Sequence, residues 1–250
     1  MVLVAAGAIA GSLAAAAAYG IAARGSQLLS KSVYRGPGAR KSIALTFDDG
    51  PSESTPILLD YLEKHGVAAT FFECGMNARR LPSVAREVVA AGHQLGNHTW
   101  SHPHLLFKSP ASISREFADT QHLLIAETGA EPVVLRPPYG LRSIGLRGVE
   151  RKLDLLEVQW TVIGNDWKLP AAGISDRVLR RASPGGIVCL HDGRGVRVRP
   201  DVSSMLAAIR EIVPALRDEG YTFETVSELL RPDAPLEAFG GRGRPRPYQE

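Results

Sequence analysis

SIALTFDDGP, residues 42–51, is the stretch on which the fold turns. Its first six residues form a short apolar run rich in β-branched and aromatic side chains, the pattern of a strand buried on both faces. Two carboxylates and a Gly-Pro pair then end it. A helix starts almost at once, with Thr55 as N-cap, Pro56 in the first turn and Gly66 as the stop. A fully apolar strand leading directly into a helix belongs to a parallel sheet with helices packed on it.

Outward from this unit the pattern repeats. VAATFF (67–72), HQLGN (93–97), VVLR (133–136), LLEVQWTV (155–162), GIVCL (186–190) and YTFETV (221–226) read as further strands. A helix over 82–91 ends at Gly92. Ser109 and Pro110 open another, whose stripe Ile113, Phe117, Thr120, Leu124 and Thr128 runs to Gly129. A weaker helix is expected near 144–152 and a further helix at 174–182. A long one is expected from Val202 to Leu216, with Pro214 kinking or restarting it. Seven strands with helices between them predict one α/β domain, a small or incomplete (β/α) barrel; an open doubly wound sheet is the alternative.

The formal charge of +3 is unevenly spread. Residues 1–41 carry five basic side chains and no acid, whereas the body 42–230 is net −3. The basic character therefore belongs to the arms, which excludes a nucleic-acid-binding fold. Two cysteines, Cys74 and Cys189, make no disulfide framework and read as buried thiols. Residues 2–23 form an uncharged run, long enough to span a bilayer but mostly Ala and Gly. Residues 1–30 are thus expected to be a signal or anchor segment, with an Ala-rich helix packed on the domain as the alternative. Residues 31–41 are read as a basic linker, 42–230 as the catalytic domain and 231–250 as a Pro/Gly/Arg-rich tail. The expected location is membrane-associated or secreted to the cell envelope. The basic flank after the run leaves a cytoplasmic-face orientation open. The sequence does not specify an oligomeric state.

Polar residues collect where these strands end. Asp48 and Asp49 follow the first, His98 and His102 the third, Asp166 the fifth and His191 the sixth, and Arg136 ends the fourth. In parallel barrels and open α/β sheets that edge carries the active site. The i, i+4 spacing of His98 and His102 lets a helical turn or tight loop aim both rings at one ion, and Asp49 can add an oxygen. Two His and one carboxylate leave positions open, as in a catalytic metal site. Zinc is the default for this donor set, with Co, Mn or Fe also compatible. Each feature has a plainer explanation: a surface His pair, turn-forming aspartates, a solvated strand-end Arg. Five segments ending on one edge argue against accepting all of them together.

TFDDGP (46–51), HTWSH (98–102), RPPYG (136–140), NDW (165–167) and IVCLH (187–191), in this order and spacing, resemble the polysaccharide deacetylases of the NodB-homology group, carbohydrate esterase family 4. The resemblance covers essentially all of 42–230. It departs at Ile163, where the family often has Asp, and at Val188, where Leu is usual. It implies a distorted (β/α) barrel of about seven parallel strands. It also implies a metal-dependent carbohydrate N-deacetylase, a hydrolase of C–N bonds other than peptide bonds. By the same resemblance Asp49, His98 and His102 hold one divalent ion, Zn²⁺ with Co²⁺ or Mn²⁺ as alternatives. Asp48 is then the base, steadied by Arg136, and His191 the acid, tuned by Asp166. Tyr139, Trp167 and Leu190 line the substrate groove. The partner is an acetylated glycan, peptidoglycan or a chitin-like oligosaccharide. A deacylase or deformylase of a lipid-linked sugar and a non-catalytic glycan-binding module are the alternatives. Arg194, Arg197 and Arg199 read as a solvated loop or as a basic rim for an anionic substrate, and His104 as a rim group.

Overall fold

The structure is a computed structural model and describes residues 14–231. Its sheet has nine parallel strands, eight in the order β1-β6-β5-β4-β3-β2-β8-β7, with β9 paired to β2. The central strand is β2 (Ser42–Gly50), flanked by β3 (Ala69–Glu73) and β8 (Gly186–His191). Beyond β3 come β4 (Gln94–Asn97), β5 (Val134–Leu135) and β6 (Leu156–Val158), and the edge is β1 (Ser32–Val33). Beyond β8 lies β7 (Val162–Ile163), and β9 is Thr222–Phe223.

The predicted fifth strand, 155–162, is two strands. Its halves, β6 and β7, stand at opposite ends of the sheet, joined by residues 159–161. Within that connection Gln159 N–H donates to the Val33 carbonyl and Thr161 N–H to the Ile187 carbonyl. The segment changes partners midway and draws the two edges together into an incomplete barrel. The predicted seventh strand is also cut short. Thr225 forms a capping box with Glu228, and the chain turns into a helix at Val226.

Helices α2 (Thr55–Lys64), α3 (Gly75–Arg80), α4 (Pro82–Ala90), α5 (Pro110–Thr128), α6 (Leu146–Leu153), α7 (Ala171–Leu179), α8 (Ser203–Asp218) and α9 (Val226–Leu230) follow a further helical stretch, α1, over 14–22. The Ser109 hydroxyl accepts the Ser112 N–H, and Gly129 closes α5 at φ 71°, as the sequence indicated. Helix α3 was not foreseen, and α8 continues through Pro214. The N-cap of α2 is Ser54, not Thr55. The Thr55 hydroxyl instead accepts the Ser52 N–H and donates to Asp192.

Strand parity divides the core. Ile43, Leu45, Phe47, Val188 and Leu190 point outward into a layer with α2, α4, α7 and α8, including Leu58, Val88, Val178 and Ile209. Ala44, Phe72, Val158 and Ile187 fill the barrel interior, which Val226 and Leu229 of α9 plug. A third cluster joins Phe117 of α5 and Val149 of α6 to Leu135.

The folded body extends well before residue 42. The stretch read as a linker supplies β1, which pairs with β6. Arg142, fully buried, donates to the carbonyls of Ala23 and Arg24, the Ser32 hydroxyl and Glu157. Arg24 donates in turn to the carbonyls of Trp160 and Thr161 in the closing connection. Residues 23–33 therefore strap the barrel. Among the described residues no helix is long and apolar enough to cross a membrane. Most of the 2–23 run, and the tail beyond 231, lie outside the described residues.

Candidate active site

The carboxyl ends of β2, β4, β5 and β8 and the loop after β7 surround an open cleft of about 1280 Å³. Along a regular strand Asp48 and Asp49 would face opposite sides. The register between β2 and β3 shifts between Asp48 and Gly50, and Asp49 takes φ 70°. This break in alternation turns both carboxylates into the cleft. Asn77 of α3 donates to the carbonyls of Asp49 and Gly195, tying the turn to the loop after β8.

His98 and His102 sit on a tight loop after β4, not on a helix. Asn97 shapes it, its side-chain oxygen accepting the Thr99 N–H while its amide donates to Phe117 and Gln121. Thr99 and His102 both have positive φ, 70° and 54°. Asp49 Oδ1 lies 3.4 Å from His98 Nε2 and 3.0 Å from His102 Nε2. Its other oxygen accepts the Gly195 N–H. Oδ1 is buried with no hydrogen-bond partner, an arrangement that costs free energy unless something else satisfies it. His98 Nδ1 is 2.7 Å from the Arg136 carbonyl, which fixes the ring with Nε2 toward Asp49. Burial acts to raise the Asp49 pKa, but the facing His102 and His98 rings outweigh it and hold the carboxyl well below its ordinary range. Two imidazole nitrogens and a charged, unpartnered oxygen fit a divalent ion. Ligands about 2.0–2.2 Å from a tetrahedral centre stand roughly 3.3 Å apart, close to the spacings seen here.

Asp48 is buried beside this group. Arg136 Nη1 donates to its Oδ1 at 2.6 Å. Arg136 is itself fully buried, donating to Thr46 and to the carbonyls of Val158 and Gln159, with its guanidinium 4.1 Å from the Phe72 ring centre. Across the cleft His191 Nδ1 lies 2.9 Å from Asp166 Oδ1, and Arg194 holds Asp166 Oδ2 at 3.1 Å. Burial works to lower the His191 pKa. The Asp166 hydrogen bond and charge, aided by Asp49 and Asp48, reverse this and raise it to about 9. For Asp166 burial acts upward, but His191 and Arg194 keep it below the usual carboxylate range.

With this geometry in place, comparison with known proteins settles the family. A sequence model for polysaccharide deacetylase matches residues 35–158. A chitooligosaccharide deacetylase of Azorhizobium caulinodans is 35% identical over 198 residues, covering 74% of this chain and 92% of that protein. The chain belongs to the polysaccharide deacetylase family. A peptidoglycan-N-acetylglucosamine deacetylase, PgdA of Listeria monocytogenes, is 38% identical over 191 residues, which is 76% of this chain. The match spans only 39% of that longer relative. The crystal structure of the Bc1960 peptidoglycan N-acetylglucosamine deacetylase superposes with a TM-score of 0.75 at 32% identity, covering 79% of this chain and 92% of that one. The curled parallel sheet described above is the polysaccharide deacetylase fold.

Asp48, Asp49, His98, His102, Asp166 and His191, all singled out from sequence, line this one cleft, and Arg136 lies fully buried behind Asp48. Tyr139 and Trp167 stand on its rim, each about half exposed. The Tyr139 ring stacks on His104 at 3.9 Å, and Trp167 meets His191 edge-on at 5.2 Å. Leu190 does not line the groove. It is fully buried in the outer layer, because β8 alternates and His191 next to it faces the cleft. Cys189 takes the inward place instead. Ile163 lines the cleft, whereas Val188 is core. Asn77 and Asp192 were missed. Asp192 is fully buried beneath the site, where burial raises its pKa to about 7 against the hydrogen bond from Thr55. The strand parity of β8 would have pointed to Cys189. Nothing in the sequence marks Asn77.

Proposed function

We propose that the protein removes N-acetyl groups hydrolytically from an N-acetylglucosamine-containing glycan, peptidoglycan or a chitin-like oligosaccharide. One divalent ion, zinc by its donor set with cobalt or manganese as alternatives, would be held by Asp49, His98 and His102. The observation that carries this reading is the buried, unpartnered Asp49 oxygen facing two imidazole nitrogens, with an Arg-held carboxylate and an Asp-held imidazole in the same cleft.

When bound, the ion supplies Lewis acidity that acidifies water and polarises the acetyl carbonyl. Asp48 takes the proton of the attacking water. Arg136 occupies one of its oxygens, and the other, which accepts the Cys189 thiol, is the one placed for that task. His191, kept protonated by Asp166, donates to the departing amine, which leaves poorly as an anion. Arg194 holds Asp166 from its other side, so the imidazole is fixed in position and tautomer. Tyr139 and Trp167, each about half exposed, offer aromatic surface against which a sugar can pack.

The likeness to named peptidoglycan and chitooligosaccharide deacetylases supports the substrate class. It also supports action at the cell envelope. Lys168 and Arg197 on the cleft rim favour, as a second reading, a deacylase of an anionic lipid-linked sugar. The test is Asp48→Asn in metal-loaded protein, offered a panel of acetylated oligosaccharides and read by mass spectrometry. Acetyl loss with the wild type, and its near-abolition in the variant with metal retained, is the expected result. Metal lost along with turnover would make Asp48 a ligand and exchange its role with that of Asp49.

A further inference from the structure

Beside the Asp49 group lies a second convergence of donors. The ligating atoms of Asp48, Cys189 and His191 all lie within 4.8 Å of one another on the cleft side of β2 and β8. β2 and β8 pair directly, with Asp48 opposite His191 and Thr46 opposite Cys189, so strand register fixes the cluster. Two of the donors are already held from behind. Asp48 Oδ1 is taken by Arg136, which leaves Oδ2, 3.5 Å from Cys189 Sγ. His191 Nδ1 is taken by Asp166, which leaves Nε2. Oxygen, sulfur and nitrogen thus meet in a preorganised pocket whose partners keep the ligands in place.

We propose that these three residues form a second, inhibitory site for a thiophilic divalent cation such as Zn²⁺ or Co²⁺. The mixed donor set selects such ions over Mg²⁺, Ca²⁺ or Mn²⁺, which favour oxygen. Coordination there would release the Cys189 thiol proton and the His191 Nε2 proton and would take up the Asp48 oxygen not held by Arg136 together with the imidazole nitrogen not held by Asp166, silencing base and acid at once. The inhibitory effect rests on the roles proposed for those two residues; the binding does not. Because Arg136 already neutralises Asp48, this site fills after the Asp49 site.

The test is a Co²⁺ titration of the metal-free full-length protein followed by absorption. The first equivalent should give only visible bands, since Asp49, His98 and His102 offer no sulfur. A near-ultraviolet sulfur-to-cobalt charge-transfer band should grow with the second equivalent. Cys189→Ser should lose that band and keep the first-equivalent bands, which report an intact fold; Cys189→Val should behave alike, and Cys74→Ser should retain both. Excess Zn²⁺ should inhibit the wild type far more than Cys189→Ser. No charge-transfer band under excess cobalt, its appearance with the first equivalent, or its persistence without Cys189 would overturn the site. A band that fills without inhibiting turnover would keep the site and overturn the roles given to Asp48 and His191.

Discussion

Replacing Asp166 with Asn isolates the electrostatic part of the acid pair. The amide oxygen can still accept the His191 Nδ1–H, so position and tautomer survive while the charge is lost. In the wild type burial depresses the His191 pKa and is overcome chiefly by Asp166, which brings it to about 9 against an ordinary 6.5. Removing the carboxylate leaves burial opposed only by Asp49 and Asp48. It also frees Arg194, now a like charge 3.1 Å from the substituted position. The His191 pKa should return to 6.5 or below. The gap between about 9 and 6.5 corresponds to up to about 3 kcal/mol of protonation-linked free energy.

Two measurements follow from that sign. The proposed mechanism needs the protonated ring, so the upper limb of the kcat/KM profile, near pH 9 in the wild type, should move down by about two pH units in Asp166→Asn. Stability should move in the same sense. A folded-state pKa raised above the unfolded one contributes fully below 6.5, and that contribution fades as pH rises through about 9. In urea unfolding of metal-free protein, the wild type should therefore exceed the variant most below pH 6.5 and least above 9. A bound ion would shield Asp49 and lower both starting values, so the comparison between proteins carries the test. An upper limb that stays in place in the variant would refute the acid-pair reasoning and leave Asp166 a role in the groove or the fold.

Replacing His98 or His102 with Ala should abolish bound zinc and turnover together, read by elemental analysis; stoichiometric metal in the double variant would remove the assignment. Deleting residues 1–30 should destabilise the domain. Arg142 loses the Ala23 and Arg24 carbonyls and the closing connection loses Arg24, a cost of about 2–4 kcal/mol for hydrogen bonds to charged groups, measurable as a fall in urea midpoint.

The strands that carry the site were legible because each is a short apolar run ending in a polar residue. Parallel α/β sheets place such ends on one edge whatever the strand order. The order itself was not legible. LLEVQWTV contains no Gly or Pro to betray that its halves belong to opposite edges, and only the pairing of Val33 and Ile187 with residues 159 and 161 reveals it. The strap was hidden for a similar reason. Arg142 recognises backbone carbonyls of Ala23 and Arg24, and a carbonyl has no residue identity for a pattern to find. Leu190 is a different case. Once His191 faces the cleft, parity sends Leu190 outward and Cys189 inward, so position along the strand outweighs the apolar character that suggested a groove.

The adjacency of Asp48 and Asp49 shows what the fold adds beyond the motif. Two neighbouring carboxylates can serve one site only if the strand stops alternating between them, and it does so through the left-handed turn at Asp49. Thr99, His102, Tyr139 and Asn165 share that conformation, each φ lying between 54° and 70°. A non-glycine residue there costs about 1–2 kcal/mol. All five lie at the carboxyl edge of one sheet, next to the groups assigned to chemistry, and three of these turns are held by named neighbours. Asn77 fixes the Asp49 turn, Asn97 and Thr99 fix the His loop, and the Asn165 carbonyl accepts the N–H groups of Lys168 and Leu169. The barrel core offsets that strain before any substrate arrives. The groups proposed as base, acid and metal ligands are thereby held in place ahead of the reaction, so that binding free energy is not spent on assembling them.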